Sequence, residues 1–228
     1  MTQKNNHPKF HASPEKIKPL KAMRYWLVQG MLYAHPTERI FKIAMELLFF
    51  VPSFLFLRSL GLGAIASVLV AFFVSHNINF LLNCALWETL ICDLTFRGAG
   101  RKTLFRYVKE LRSRLARHDS ILCAFIYGSI SRGALHDSSD LDLVIVRRQG
   151  FRNAMFSLAV LTFEKLRALV YRIPLESYLA DDLSFLDRPR NDETPLVVAD
   201  TDGVLRSAER PLQTIEDAEE QNGMVVMQ

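Results

Sequence analysis

From Ser59 to Trp87 the chain carries no lysine, arginine, aspartate or glutamate. Crossing a bilayer takes roughly 20 predominantly apolar residues, and this stretch is long enough to do so. The run before it, IFKIAMELLFFVPSFLFL, is apolar too but holds Lys42, Glu46 and Pro52. Its charged end must therefore begin near an interface, where long side chains can snorkel to water. LRSLGLG lies between the two runs and has the glycines of a turn. These features predict an N-terminal α-helical transmembrane hairpin over residues 40–92. The competing arrangement is a buried helical pair in a soluble protein, and the length of the uncharged stretch counts against it.

Basic residues flank the hairpin on both outer sides. Lys16, Lys18, Lys21, Arg24, Arg39 and Lys42 precede it, and Arg97, Arg101, Lys102, Arg106, Lys109 and Arg112 follow it, while the turn has only Arg58. Positive charge collects on the cytoplasmic side, so the expectation is a protein of the cell (inner) membrane with both termini cytoplasmic. Residues 1–39 read as a polar tail followed by an amphipathic helix, KAMRYWLVQGMLYA. The aromatic residues of that helix suit either a membrane interface or packing on the rest of the protein. The polar first residues lack the apolar core and small-residue cleavage site of a signal peptide. Within the second apolar run, His76, Asn79 and Asn83 share one helical face, a pattern expected of inter-helical hydrogen bonds.

Downstream of the hairpin the pattern changes to that of a globular domain, expected over 101–210. RKTLFRYVKELRSRLARHD has apolar residues at helical spacing, and FRNAMFSLAVLTFEKLRALVYR is a second helix. SILCAFIY, LDLVIV, IPLESYLA and TPLVVAD are short apolar segments bounded by turn residues, hence strands. Strands alternating with helices predict an α+β fold built on a small mixed α/β sheet. The acidic, polar residues 211–228 read as a disordered tail. The three cysteines, Cys84, Cys92 and Cys123, lie in apolar stretches without metal-ligand spacing. They argue against a disulfide framework and a zinc site. A formal charge of +4 and a pI near 9.0 suit a phosphate-bearing partner or an anionic membrane.

One segment concentrates chemistry: YGSISRGALHDSSDLDLVIV, residues 127–146. The first strand runs straight into Gly128 and Ser129. A glycine there lets backbone approach a ligand closely, a serine adds a hydroxyl, and a helix starting at this point would offer free N–H groups to phosphate. Asp140 and Asp142 follow, one residue apart on a strand, so both carboxylates face one way while Leu141 and Leu143 point into the core. Two carboxylates beside a phosphate cradle suit magnesium, or manganese, which takes oxygen ligands from protein and substrate phosphates together. Two such ions can activate an attacking oxygen and stabilise a leaving pyrophosphate.

The combination of hydrophobic strand, Gly-Ser, a spacer with Arg-Gly, and Ser-Asp-hydrophobic-Asp resembles the signature of the nucleotidyltransferase superfamily of the DNA polymerase beta type. It is most similar to the minimal nucleotidyltransferase domains. Gly128, Ser129, Arg132, Gly133, Ser139, Asp140 and Asp142 carry the likeness. The resemblance implies a nucleotidyltransferase-like fold. It also implies a third carboxylate on a neighbouring strand, for which Glu176 in RIPLESYLA is the match. Relatives commonly have aspartate there, and Asp181 and Asp182 are rival candidates. It further implies that Asp140, Asp142 and Glu176 hold the metal, that Glu176 helps activate the attacking oxygen, and that Gly128, Ser129 and Ser139 contact the nucleoside triphosphate. Arg132 is either an added phosphate contact, a solvated side chain or an ion-pair partner of Asp137.

These readings together predict a membrane-anchored, metal-dependent nucleotidyltransferase. It would transfer a nucleoside monophosphate from a triphosphate to a hydroxyl or phosphate acceptor. The anchor points to an acceptor at the bilayer: a lipid-linked intermediate, a glycan or a protein. Nucleic acid is not the expected substrate, since no aromatic-interleaved basic groove is present. The rival reading is a catalytically inactive nucleotide-binding or interaction module with the same fold.

Overall fold

The computed structural model describes residues 23, 26–29, 31, 34–83, 98–137, 139–187, 193–207 and 210–223. Residues 1–22 of the expected tail and 84–92 of the expected hairpin lie outside the described residues. Helix α1 spans Pro36–Ser59 and α2 spans Ala64–Asn83. Proline enters α1 in its first turn, where its missing N–H costs nothing, and the His35 ring accepts a hydrogen bond from the Thr37 amide. At 24 and 20 residues the two helices are about 36 and about 30 Å long, and both are apolar enough to cross a membrane.

The polar residues of the hairpin face each other. Glu46 accepts hydrogen bonds from Ser75 Oγ (2.7 Å) and Asn79 Nδ2 (3.0 Å), and Asn79 Nδ2 also donates to the Lys42 carbonyl (3.1 Å). Lys42 is buried, paired with Glu38 at 2.7 Å and donating to the Gln29 carbonyl. Asn79 thus ties helix to helix as expected and His76 lies 3.7 Å from Glu46, whereas Asn83 bonds to Asn79 within α2 and accepts from Thr162 of the globular part. Trp26 packs its ring edge against His76 and donates to Asn77, so the described part of the amphipathic segment rests on α2.

The globular part follows. Helix α3 spans Arg101–Leu115, β1 Ile121–Tyr127, β2 Leu141–Arg147, α4 Phe151–Tyr171, β3 Leu175–Ala180, β4 Leu196–Asp200 and α5 Ile215–Gln221. The sheet order is β3-β2-β1-β4. β1 pairs antiparallel with β2 and β4, and β2 pairs parallel with β3, so the chain must cross over between them, which α4 does. Strand alternation divides the core into two layers. Ala124, Ile126, Leu143 and Ile145 face α3, α4 and α5, whereas Cys123, Phe125, Val144 and Val146 face short turns over Leu183–Asp187 and Val204–Ser207. Burial, and secondarily Asp200, pushes the Cys123 thiol up to about 12, so it remains a neutral apolar filler.

Buried charge joins α3 to α4. Glu164 receives two hydrogen bonds from the Arg114 guanidinium, at 2.8 and 2.7 Å, and one from the Tyr107 hydroxyl. Burial, and then the Glu164 charge, holds the Tyr107 hydroxyl far above its ordinary range.

Of the expected tail at 211–228, residues 224–228 lie outside the described residues, and Ile215–Gln221 form a helix rather than a disordered segment. Thr214 and Asp217 form a reciprocal capping box that starts α5, and Ile215 and Ala218 are fully buried against the main core. These two apolar positions dock an otherwise acidic segment, together with ion pairs from Lys109 to Glu219 and from Arg112 to Glu216.

Candidate active site

The site lies at one edge of the sheet face opposite the helices. Its geometry starts from strand register. Tyr127, the last residue of β1, pairs with Asp142, and Asp142 pairs with Glu176 on the parallel neighbour β3. Asp142 and Glu176 therefore stand side by side, and Asp140 precedes β2 by one residue at the same edge. One oxygen from each of Asp140, Asp142 and Glu176 falls within 4.8 Å of the others, and all three residues are half-buried. Three converging carboxylate oxygens with one open side form the donor set a hard divalent cation takes. The Tyr178 hydroxyl donates to Glu176 Oε1, which fixes the direction of that carboxylate. Tyr178 was not anticipated from the motif. Its only sequence signal is its position two residues beyond Glu176, on the same face of β3.

Gly128 turns the chain out of β1 with φ of +83°. A Cβ at this position would lie 2.7 Å from Asp142 Oδ2, so only glycine lets backbone and carboxylate come this close. The segment that follows is not a full helix but a single 3-10 turn over Ile130–Arg132, closed by hydrogen bonds from Ser131 and Arg132 back to Gly128 and Ser129. Ser129 Oγ is buried there with no hydrogen-bond partner among the described residues. A buried hydroxyl left unpaired costs about 1–3 kcal/mol, and a phosphate oxygen arriving beside the cluster would relieve it. This orphaned atom and the glycine cradle fit a nucleotide phosphate next to a metal.

The remaining candidates separate. Ser139 is buried and its hydroxyl accepts from the His136 amide (2.8 Å), so it pins the loop before Asp140. Arg132 is paired with Glu193 rather than Asp137, and Asp137 instead accepts from the Arg101 amide at the start of α3. Asp181 binds Arg147 Nη2 at 2.7 Å, and Asp182 accepts from the Ser184 amide. Both lie beyond the far end of β3, away from the cluster, which leaves Glu176 as the carboxylate that joins Asp140 and Asp142. Residues outside the motif brace the loop. Asn222 donates to the Ile130 carbonyl and accepts from the Leu135 amide, and Gln213 donates to the Ser131 carbonyl.

Residues 109–186 match the family model described as Polymerase beta, Nucleotidyltransferase. The match runs from within α3 to the turn after β3 and includes the Gly128–Ser129 turn, both aspartates and Glu176. This segment is similar to nucleotidyltransferase domains of the polymerase beta type, and its acidic triad fits that class. No curated protein and no solved structure matches the chain.

Proposed function

We propose that the chain is a membrane-anchored, metal-dependent nucleotidyltransferase that transfers a nucleoside monophosphate from a nucleoside triphosphate to an acceptor at the membrane. The observation that carries this reading is the meeting of Asp140, Asp142 and Glu176 beside the Gly128–Ser129 turn. Asp140, Asp142 and Glu176 would hold magnesium or manganese, which supplies charge neutralisation for the triphosphate and the leaving pyrophosphate. Ser129 Oγ and the backbone after Gly128 bind the β and γ phosphates. Glu176, aimed by Tyr178, draws the proton from the acceptor oxygen as that oxygen bonds to the α-phosphorus. The bond from the α-phosphorus to its bridging oxygen breaks, and pyrophosphate leaves. The hairpin of α1 and α2 supports anchoring. The basic residues on both its flanks support placing the domain and both termini on the cytoplasmic side of the cell (inner) membrane. An acceptor of lipid-linked, glycan or protein type follows from that location.

The test uses the full chain in detergent or nanodiscs with magnesium and each of the four labelled triphosphates. Binding of one triphosphate, and label transfer to a membrane extract, is the expected result. Asp140→Asn and Asp142→Asn should each lower transfer at least about 100-fold, equivalent to about 2.7 kcal/mol of lost transition-state stabilisation. A folded protein that binds none of the triphosphates refutes the reading. Binding without transfer, unchanged by either substitution, identifies a non-catalytic nucleotide-binding module.

A further inference from the structure

Large apolar side chains exposed together on a folded domain mark a surface that meets something other than water. Among the described residues of the globular part, those with high exposure all lie on one helix, α4: Phe151, Phe156, Phe163, Leu166, Val170 and Tyr171. Phe156, Phe163 and Val170 recur at seven-residue spacing and form a stripe along one side. Phe163 and Val170 are 64% and 74% exposed. The other sides of α4 are occupied. Leu161 and Ala168 pack in the core, and Thr162 and Lys165 reach the end of α2, bonding to the Asn83 side chain (3.2 Å) and carbonyl (2.9 Å). The exposed stripe thus borders the face on which the hairpin sits.

The charge pattern adds a second, independent observation. The one carboxylate of α4, Glu164, is buried against Arg114. Arg152, Arg167 and, just past the helix end, Arg172 are exposed, Arg167 also donating to Glu164 at 2.7 Å, and the Arg152 guanidinium lies 5.5 Å from the Phe156 ring centre. An apolar stripe edged by arginines on a helix that itself exposes no acid, continuous with a membrane hairpin, fits the headgroup region of an anionic bilayer.

We propose that α4 lies in the membrane interface, with Phe156, Phe163 and Val170 at the headgroup–acyl boundary and Arg152, Arg167 and Arg172 at the level of the lipid phosphates. This rests on the hairpin being embedded in the bilayer. The domain is then clamped to the surface at two places rather than hanging from the hairpin alone. Glu176 follows Tyr171 by so few residues that the chain between them spans at most about 18 Å. The acidic triad, although on the opposite face of the sheet, is thereby kept close enough to the bilayer for long groups projecting from the lipid surface to reach it.

Depth-dependent quenching tests this in the full chain reconstituted in nanodiscs containing phosphatidylcholine and phosphatidylglycerol. With Cys84 and Cys92 replaced by serine and Cys123 by alanine, single cysteines introduced as Phe156→Cys, Phe163→Cys and Val170→Cys carry an environment-sensitive fluorophore. Arg106→Cys on α3 serves as the aqueous reference and Leu55→Cys in α1 as the embedded one. A shallow lipid-bound nitroxide should quench the three α4 positions at least threefold more than position 106. Omitting phosphatidylglycerol should reduce that quenching. If position 55 is quenched but the α4 positions behave like 106, the interfacial helix is refuted while the anchor stands. If position 55 is also unquenched by a deep lipid nitroxide, the anchor itself fails and the proposal with it. Blue-shifted α4 positions shielded from both lipid-bound and soluble nitroxide would show a protein cover, a second copy or another segment of the chain, and overturn it too.

Discussion

Gly128→Ala tests the geometric core of the site. Two costs are readable from the structure. An L-residue in the left-handed region at φ of +83° costs about 1–2 kcal/mol. The new Cβ also meets Asp142 Oδ2 at 2.7 Å, so the carboxylate must leave its rotamer, at about 0.5–1.5 kcal/mol. The sum is roughly 1.5–3.5 kcal/mol. In an Asp142→Ala background the second cost vanishes, because the oxygen that clashes is gone, and a coupling of about 1 kcal/mol between the two positions results. Cys123 is fully buried in β1 and provides the assay. With Cys84 and Cys92 changed to serine it becomes the sole thiol, and its reaction with a thiol reagent across a urea titration reports unfolding of the sheet. Manganese affinity measured on the same samples should fall about tenfold or more in the single variant, since one of the three carboxylates proposed to hold the ion has moved. Wild-type stability with wild-type manganese binding would refute the reasoning. So would an alanine cost of the same size with and without the Asp142 carboxylate.

Three further outcomes follow from the rest of the fold. Glu164→Gln leaves the partly buried Arg114 with only the more exposed Glu110 carboxylate and should destabilise the chain by about 3 kcal/mol, measured by urea unfolding, whereas Arg167→Gln, whose arginine is half exposed, should change it little. The Cys123 thiol has a folded pKa raised to about 12, above its ordinary value near 9. Its stabilisation is complete below about pH 9 and is lost above it by about 1.4 kcal/mol per unit as the unfolded thiol ionises. Unfolding measured between pH 9 and 10 should show that slope, and Cys123→Ala should remove it. Membranes washed with alkaline carbonate should retain the full chain in the pellet, because α1 and α2 expose apolar surface along their length; release into the supernatant would mean the hairpin is not embedded.

Much of the architecture was legible because its signals are local. Hydropathy alone located α1 and α2, and the alternation of β2 sent Leu141 and Leu143 to the core while Asp142 faced the opposite layer. The glycine before Ser129 announced a close approach. The helix at Ile215–Gln221 shows the converse: its charge is conspicuous in sequence, while the contacts that dock it, through Ile215, Ala218 and the flanking Asn222, are not.

What the sequence by itself determined is the set of groups, a Gly-Ser turn and an Asp-x-Asp strand after an apolar hairpin, since each depends only on neighbours along the chain. The tertiary structure decided which groups meet. Parallel pairing of β2 with β3 sets Asp142 beside Glu176 and carries Asp181 to the far end, where Arg147 takes it. Packing of α5 brings Asn222 to the Ile130 carbonyl, and the fold gives Arg132 to Glu193 rather than to Asp137. Those partners are distant along the chain, so sheet register and helix docking choose them, and no spacing within the motif encodes either.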